Sequence, residues 1–290
     1  MQRATARNFL LGSVVLLGIL GLAVYARFGN SDCEPDAETV VAVVDFTDPL
    51  GGDARATLKD RVWEAITQAT DHSNVVFRAI VGVNKSGKLL TVSPSVMCRP
   101  ERPSATTGLR GPIKPVQDRW LAFQDQVCGA APVDPTLPDR PPLSCGDPAR
   151  RGSFFELQTE KSYSSPIAEE ILDAARRHLS PNVKRWHLIV ASDWRENIPG
   201  KVSLGKNNCN PQVDPHRVES LLLVGPREKL LANQNNATGR NLIDNYLIQR
   251  SDMTRSEADC LQSVAEEFFH LNMASPPPDL NTWRLSVTQP

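Results

Sequence analysis

VVAVVDFTDP, residues 40–49, decides how the rest of the chain is read. Five consecutive β-branched or small apolar residues, with no polar side chain between them, suit a strand covered on both faces. The run stops on Asp45, a carboxylate at the strand's end, and Thr47, Asp48 and Pro49 turn the chain away. A strand buried on both sides needs helices above and below it, so the neighbouring segments should alternate between the two periods.

They do. Between Asp53 and Thr70, Leu58, Val62 and Ile66 recur at helical spacing. VVFRAIVGV (75–83) reads as a strand, and KLLTV (88–92) as another after the Lys85-Ser86-Gly87 turn. A helix is expected from Pro166 to about His178, with the preceding Ser-Ser pair available to cap it. WHLIVA (186–191) and VESLLLV (218–224) are buried-type strands. Residues 254–271 give a last helix that opens on the capping box Thr254-Arg255-Ser256-Glu257, and WRLSV (283–287) suits a closing strand. The expected fold class is α/β: a doubly wound, mainly parallel sheet with helices on both faces, spanning 39–290.

Residues 98–152 break this rhythm. They hold 10 of the 23 prolines and three of the six cysteines, with one helix at about 115–127. Their apolar content is too low for a core of their own, so they read as an insertion pinned by cystine.

At the other end, residues 9–25 (FLLGSVVLLGILGLAVY) carry no charge. Seventeen helical residues span roughly 25 Å, the short end of a bilayer crossing. Arg3 and Arg7 precede the run, and acids at 32, 34, 36 and 38 follow it. A cytoplasmic N-terminus (1–8), a transmembrane signal-anchor (9–26), a short linker (27–38) and an extracytoplasmic domain are therefore expected. A cleaved signal peptide ending at Ala26 is the alternative. All six cysteines lie on the exported side, where disulfides form, and six allow 15 pairings.

Net charge is -1, from 32 basic and 33 acidic residues, which disfavours nucleic acid as a partner. The five histidines lack metal spacing, EEFFH (266–270) is not H-E-x-x-H, and no Gly-rich phosphate loop or G-x-S-x-G elbow occurs. In a doubly wound sheet, ligands meet the carboxyl ends of the strands. Asp45 and Asp193 both sit at such ends, and Ser164 or Ser165 lies where a loop enters the 166–178 helix. Two carboxylates with hydroxyls suit a hard divalent cation, magnesium first. Each residue also has a plainer reading. Asp45, Thr47 and Asp48 could cap the next helix, Ser165 could cap its own, and Asp193 could pair with Arg195 or Lys201.

The order of these residues resembles the von Willebrand factor A domain and its metal-ion-dependent adhesion site. That family pairs a hydrophobic strand entering D-x-S/T-x-S with a loop hydroxyl before a helix and a final Asp after a later strand. Asp45 and Thr47 match the first two ligands, Ser165 the loop hydroxyl and Asp193 the final acid; Asp48 and Ser164 are additional candidates. Pro49 stands where a further hydroxyl is expected, and Trp194 where the family has glycine. The resemblance covers 40–97 and 153–290. It implies a non-enzymatic module, displayed outside the membrane by the 9–26 anchor, that binds a protein partner with or without a bridging divalent cation. A magnesium-dependent phosphohydrolase of the haloacid-dehalogenase type also begins on a strand-end Asp, but with D-x-D-x-T; here Thr47 replaces the acid and Pro49 the threonine. A structural envelope domain with a non-functional metal site is the remaining alternative.

Overall fold

The run at 40–44 becomes the middle of a six-stranded sheet in the computed structural model of the chain, which describes residues 33, 37–47, 50–82, 92–103, 114–132, 143–157, 164–179, 183, 185–196, 209, 222–225, 235–236, 239–240, 242–250 and 253–273. In chain order the elements are β1 (Thr39–Asp45), α1 (Gly52–Gln68), β2 (Asn74–Ile80), β3 (Ser95–Cys98), α2 (Lys114–Cys128), α3 (Ile167–His178), β4 (Trp186–Ser192), β5 (Leu222–Gly225), β6 (Asn235–Asn236), β7 (Gly239–Arg240), β8 (Leu242–Ile248) and α4 (Arg255–Met273). β6 and β7 form a separate two-stranded ladder.

Strand order across the large sheet is β3-β2-β1-β4-β8-β5. The four inner strands run parallel, whereas β3 and β5 close the two edges antiparallel. The α/β class is therefore as expected, with a mixed sheet that is parallel at its centre. β1 explains why its sequence looks as it does. Val40, Ala42 and Val44 pack with Leu58, Val62 and Ile66 of α1 and with Phe123 and Val127 of α2. Val41 and Val43 pack on the other face with Ile167, Ile171 and Leu172 of α3 and with Leu261, Ala265 and Phe268 of α4. Every residue of β1 is buried, so no polar alternation could develop.

The chain leaves β1 for β2 on one side, and later returns as β4 on the other. That reversal makes the carboxyl ends of β1 and β4 a topological switch point, the place where open α/β sheets bind ligands.

Three disulfides join Cys33 to Cys98, Cys128 to Cys145 and Cys209 to Cys260. The second lies wholly inside 98–152. That region does not stand apart from the core, because Phe123, Val127, Cys128 and Cys145 join the cluster on the α1 face. Gly146 lands directly on α1. A Cβ there would sit 2.3 Å from the Ala56 carbonyl oxygen, and its N–H donates to Asp60 Oδ1 at 2.7 Å. Arg150, buried, ties the same region together through Asp125 and the carbonyls of Gly129, Leu143 and Ser144.

Some expectations shift. The second strand ends at Ile80, before Gly82, and the sheet's edge is Ser95–Cys98, with 88–91 outside the described residues. The strand expected over 218–224 is described as Leu222–Gly225. β8 was not expected at all. Residues 9–26 and 283–287 lie outside the described residues, among which no helix is long and apolar enough to cross a membrane.

Candidate functional site

Asp45 ends β1 and is 5% exposed, which makes its hydrogen bonds decisive. Thr47, two residues on, donates both its backbone N–H (3.0 Å) and its hydroxyl (2.7 Å) to Asp45 Oδ1. This is an Asx-type turn closing on its own strand. From β4, the Ser192 hydroxyl donates to Asp45 Oδ2 at 2.7 Å. From the entry to α3, Ser165 Oγ lies 3.1 Å from Thr47 Oγ1 and 3.5 Å from Asp45 Oδ2. Two segments more than a hundred residues further along the chain thus meet the 45–47 turn on one carboxylate. Ser164, also buried, precedes Ser165 in the same loop. Asp48 and Pro49 lie outside the described residues.

The serine cap expected for α3 is replaced. Its N-cap residue is Pro166, which makes no side-chain capping bond, and the first-turn N–H of Ala168 donates instead to Glu196 Oε1 at 3.1 Å. Glu196 brings a carboxylate to the positive end of the helix, as the macrodipole favours. Ser165 meanwhile points its hydroxyl at Thr47 and Asp45.

Asp193 does not join this hydrogen-bonded knot. Its Oδ1 accepts the Arg195 N–H at 3.0 Å, and its Oδ2 faces Arg250 Nη1 at 3.5 Å. Asp193 is buried and not at the surface: Arg195 reaches it through the backbone while its guanidinium binds Glu257 Oε1 at 2.7 Å, and Lys201 lies outside the described residues. Burial, and next the negative charge of Asp45, push the Asp193 carboxyl up from 3.8 to about 7. Two acids therefore lie close enough to oppose each other's ionisation, and Arg195 and Arg250 relieve only part of that.

Between Ser192 and Arg195 the backbone takes an unusual course. Trp194 has φ of 58°, in the left-handed region that disfavours a side chain and suits glycine. The surroundings of Trp194 compensate for this strain. The indole is fully buried, its rings contact Phe268 and Phe269 of α4, and its Nε1–H donates to Asn245 Oδ1 at 3.1 Å. Its backbone N–H donates to Ser192 Oγ at 2.9 Å, so the hydroxyl that holds Asp45 is itself held.

Comparison with known protein families, with curated proteins and with solved structures gives no match. The chemistry of the site must then be argued from its donors.

No group of three or more His, Cys, Asp or Glu side chains among the described residues is placed to hold a metal ion. The donor set consists of two acids and several hydroxyls, all oxygen, which suits magnesium or another hard divalent cation and excludes thiophilic metals. A hydroxyl that gives its proton to Asp45 keeps its lone pairs for a cation. Thr47 and Ser165 are oriented in this way. The close acids, one with raised proton affinity, are the second sign of a fit, since a divalent cation would remove their repulsion.

Sequence reading missed Ser192 and Arg250. Ser192 had a signal, since it precedes Asp193 and ends the same strand. Arg250 had none, because its strand was unrecognised.

Proposed function

We propose that this chain is an extracytoplasmic module, anchored through residues 9–25, that binds a protein partner at the carboxyl ends of β1 and β4 in the manner of an A-type adhesion domain. The observation that carries the reading is the convergence of Thr47, Ser165 and Ser192 on the Asp45 carboxylate beside a second buried acid. Asp45, Thr47, Ser165 and Asp193 are the residues that would hold the cation, with Asp45 orienting the hydroxyls and Ser192 fixing Asp45. A magnesium ion held there supplies an open coordination position for an acidic side chain of the partner. No residue is assigned a catalytic role. The phosphohydrolase reading gains no support, because the position two after Asp45 holds a threonine that donates to Asp45 where a general acid is needed.

Calorimetric titration of the full-length chain with magnesium or manganese tests the reading. Saturable binding that is lost in both Asp45→Ala and Asp193→Ala is the expected result. Absence of binding to the wild-type protein, in a folded sample, would remove the cation from the proposal.

A further inference from the structure

The two oxygens of Asp193 are already engaged, and one of them by a charge of the chain's own. Oδ1 takes the Arg195 N–H, whereas Oδ2 faces the Arg250 guanidinium at 3.5 Å. Arg250 comes from the neighbouring strand. β8 runs parallel to β4 with Leu247 opposite Ser192, so the residues just past both strands lie side by side. A turn then fixes the Arg250 backbone, with the Met253 N–H donating to the Arg250 carbonyl at 3.0 Å and the Met253 side chain buried in the core. The other arginine on this rim is committed elsewhere, since Arg195 Nη2 binds Glu257. Arg250 itself is partly exposed, and its guanidinium lies at the carboxylate, not in the core.

We propose that Arg250 is a tethered competitor for Asp193, so that a divalent cation enters the site only by displacing the guanidinium from Oδ2. This rests on the cation-binding reading above and names how that site is regulated. A guanidinium and a divalent cation are like charges, and both cannot approach one carboxylate oxygen closely in a buried setting. The exchange sets a threshold: a monovalent ion carries no more charge than the arginine it must replace, whereas magnesium or manganese carries twice as much. Displacement also leaves the guanidinium at the rim, beside the position where an acidic side chain of a partner would arrive.

The test is manganese binding to the full 290-residue chain, read as free manganese by electron paramagnetic resonance. R250Q should bind about tenfold more tightly than wild type, the gain expected for removing one nearby positive charge. R177Q, which removes an equally formal charge from an exposed arginine paired with Asp173, should bind as wild type does. R250K, which keeps one positive charge at the same position, should bind about as wild type does, because the competition runs through that charge. Binding by R250Q and not by wild type would support the proposal most strongly. Equal affinity of wild type and R250Q would overturn it while leaving the cation site standing. No binding by either protein would overturn both.

Discussion

Both ends of the central strands hold buried polar groups, but these are balanced differently. At the amino ends, acids have partners close by. Glu38 accepts the Thr70 N–H and hydroxyl and lies near Arg185, while His187 meets Asp244 across β4 and β8. Arg99 binds Asp71 and the Thr67 carbonyl and lies over the Trp120 ring. At the carboxyl ends, two acids are brought together and hydroxyls are aimed at one of them. Buried charge at the amino ends is settled within the chain and serves structure. At the carboxyl ends it is left partly unsettled, and that is what a ligand can use.

Substitutions at four positions test this contrast. The largest effect is expected from Trp194→Ala, which empties a fully buried indole site and leaves Asn245 without a donor. A loss of about 3–5 kcal/mol should show in the urea unfolding midpoint. Trp194→Gly should lose about 1 kcal/mol less, since glycine takes the positive φ freely.

Arg99→Ala acts at the opposite end. It should cost roughly 3 kcal/mol in the same assay, because Thr67 and Asp71 lose a buried partner, yet leave manganese affinity unchanged. If cation binding fell as well, the two ends would not be independent.

The third prediction concerns pH. Asp193 is raised to about 7 in the folded chain against an ordinary 3.8, so the folded state holds a proton that the unfolded state releases between those values. Its contribution to stability is fully present below about pH 4 and is lost as the pH rises through about 7. In a chelator, melting temperature should therefore fall over that window. Asp193→Asn should flatten the slope, and saturating magnesium should flatten it over the same window, because the bound cation takes the place of the proton.

The smallest effect belongs to Thr254→Ala. Its hydroxyl accepts the Glu257 N–H at 3.2 Å at the start of α4, and removing a cap costs about 1 kcal/mol. The same turn carries the Glu257 that holds Arg195, so manganese affinity should also drift slightly.

How much of this was legible depends on where each residue's partner lies. VVAVV and WHLIVA announce parallel strands because burial on two faces forbids polar residues, and the capping box at 254–257 is local. β8 (LIDNYLI) escaped because it carries Asp244 and Asn245 in its middle. The partners they meet, His187 and Trp194, lie more than fifty positions away, and no window of sequence shows that. The same reason hid Arg250. Asp45, Thr47, Ser165 and Asp193 could be ordered along the chain, but sequence treated them as one set. The structure separates a knot around Asp45 from an acid engaged by arginines.

Trp194 carries one further consequence. A glycine at that position would leave the Asp193 loop free to swing, and some binding energy would go into arresting it. An indole wedged under α4 arrests it beforehand. The loop then meets its ligand as a finished mould, so association should require little rearrangement and its heat little dependence on loop ordering.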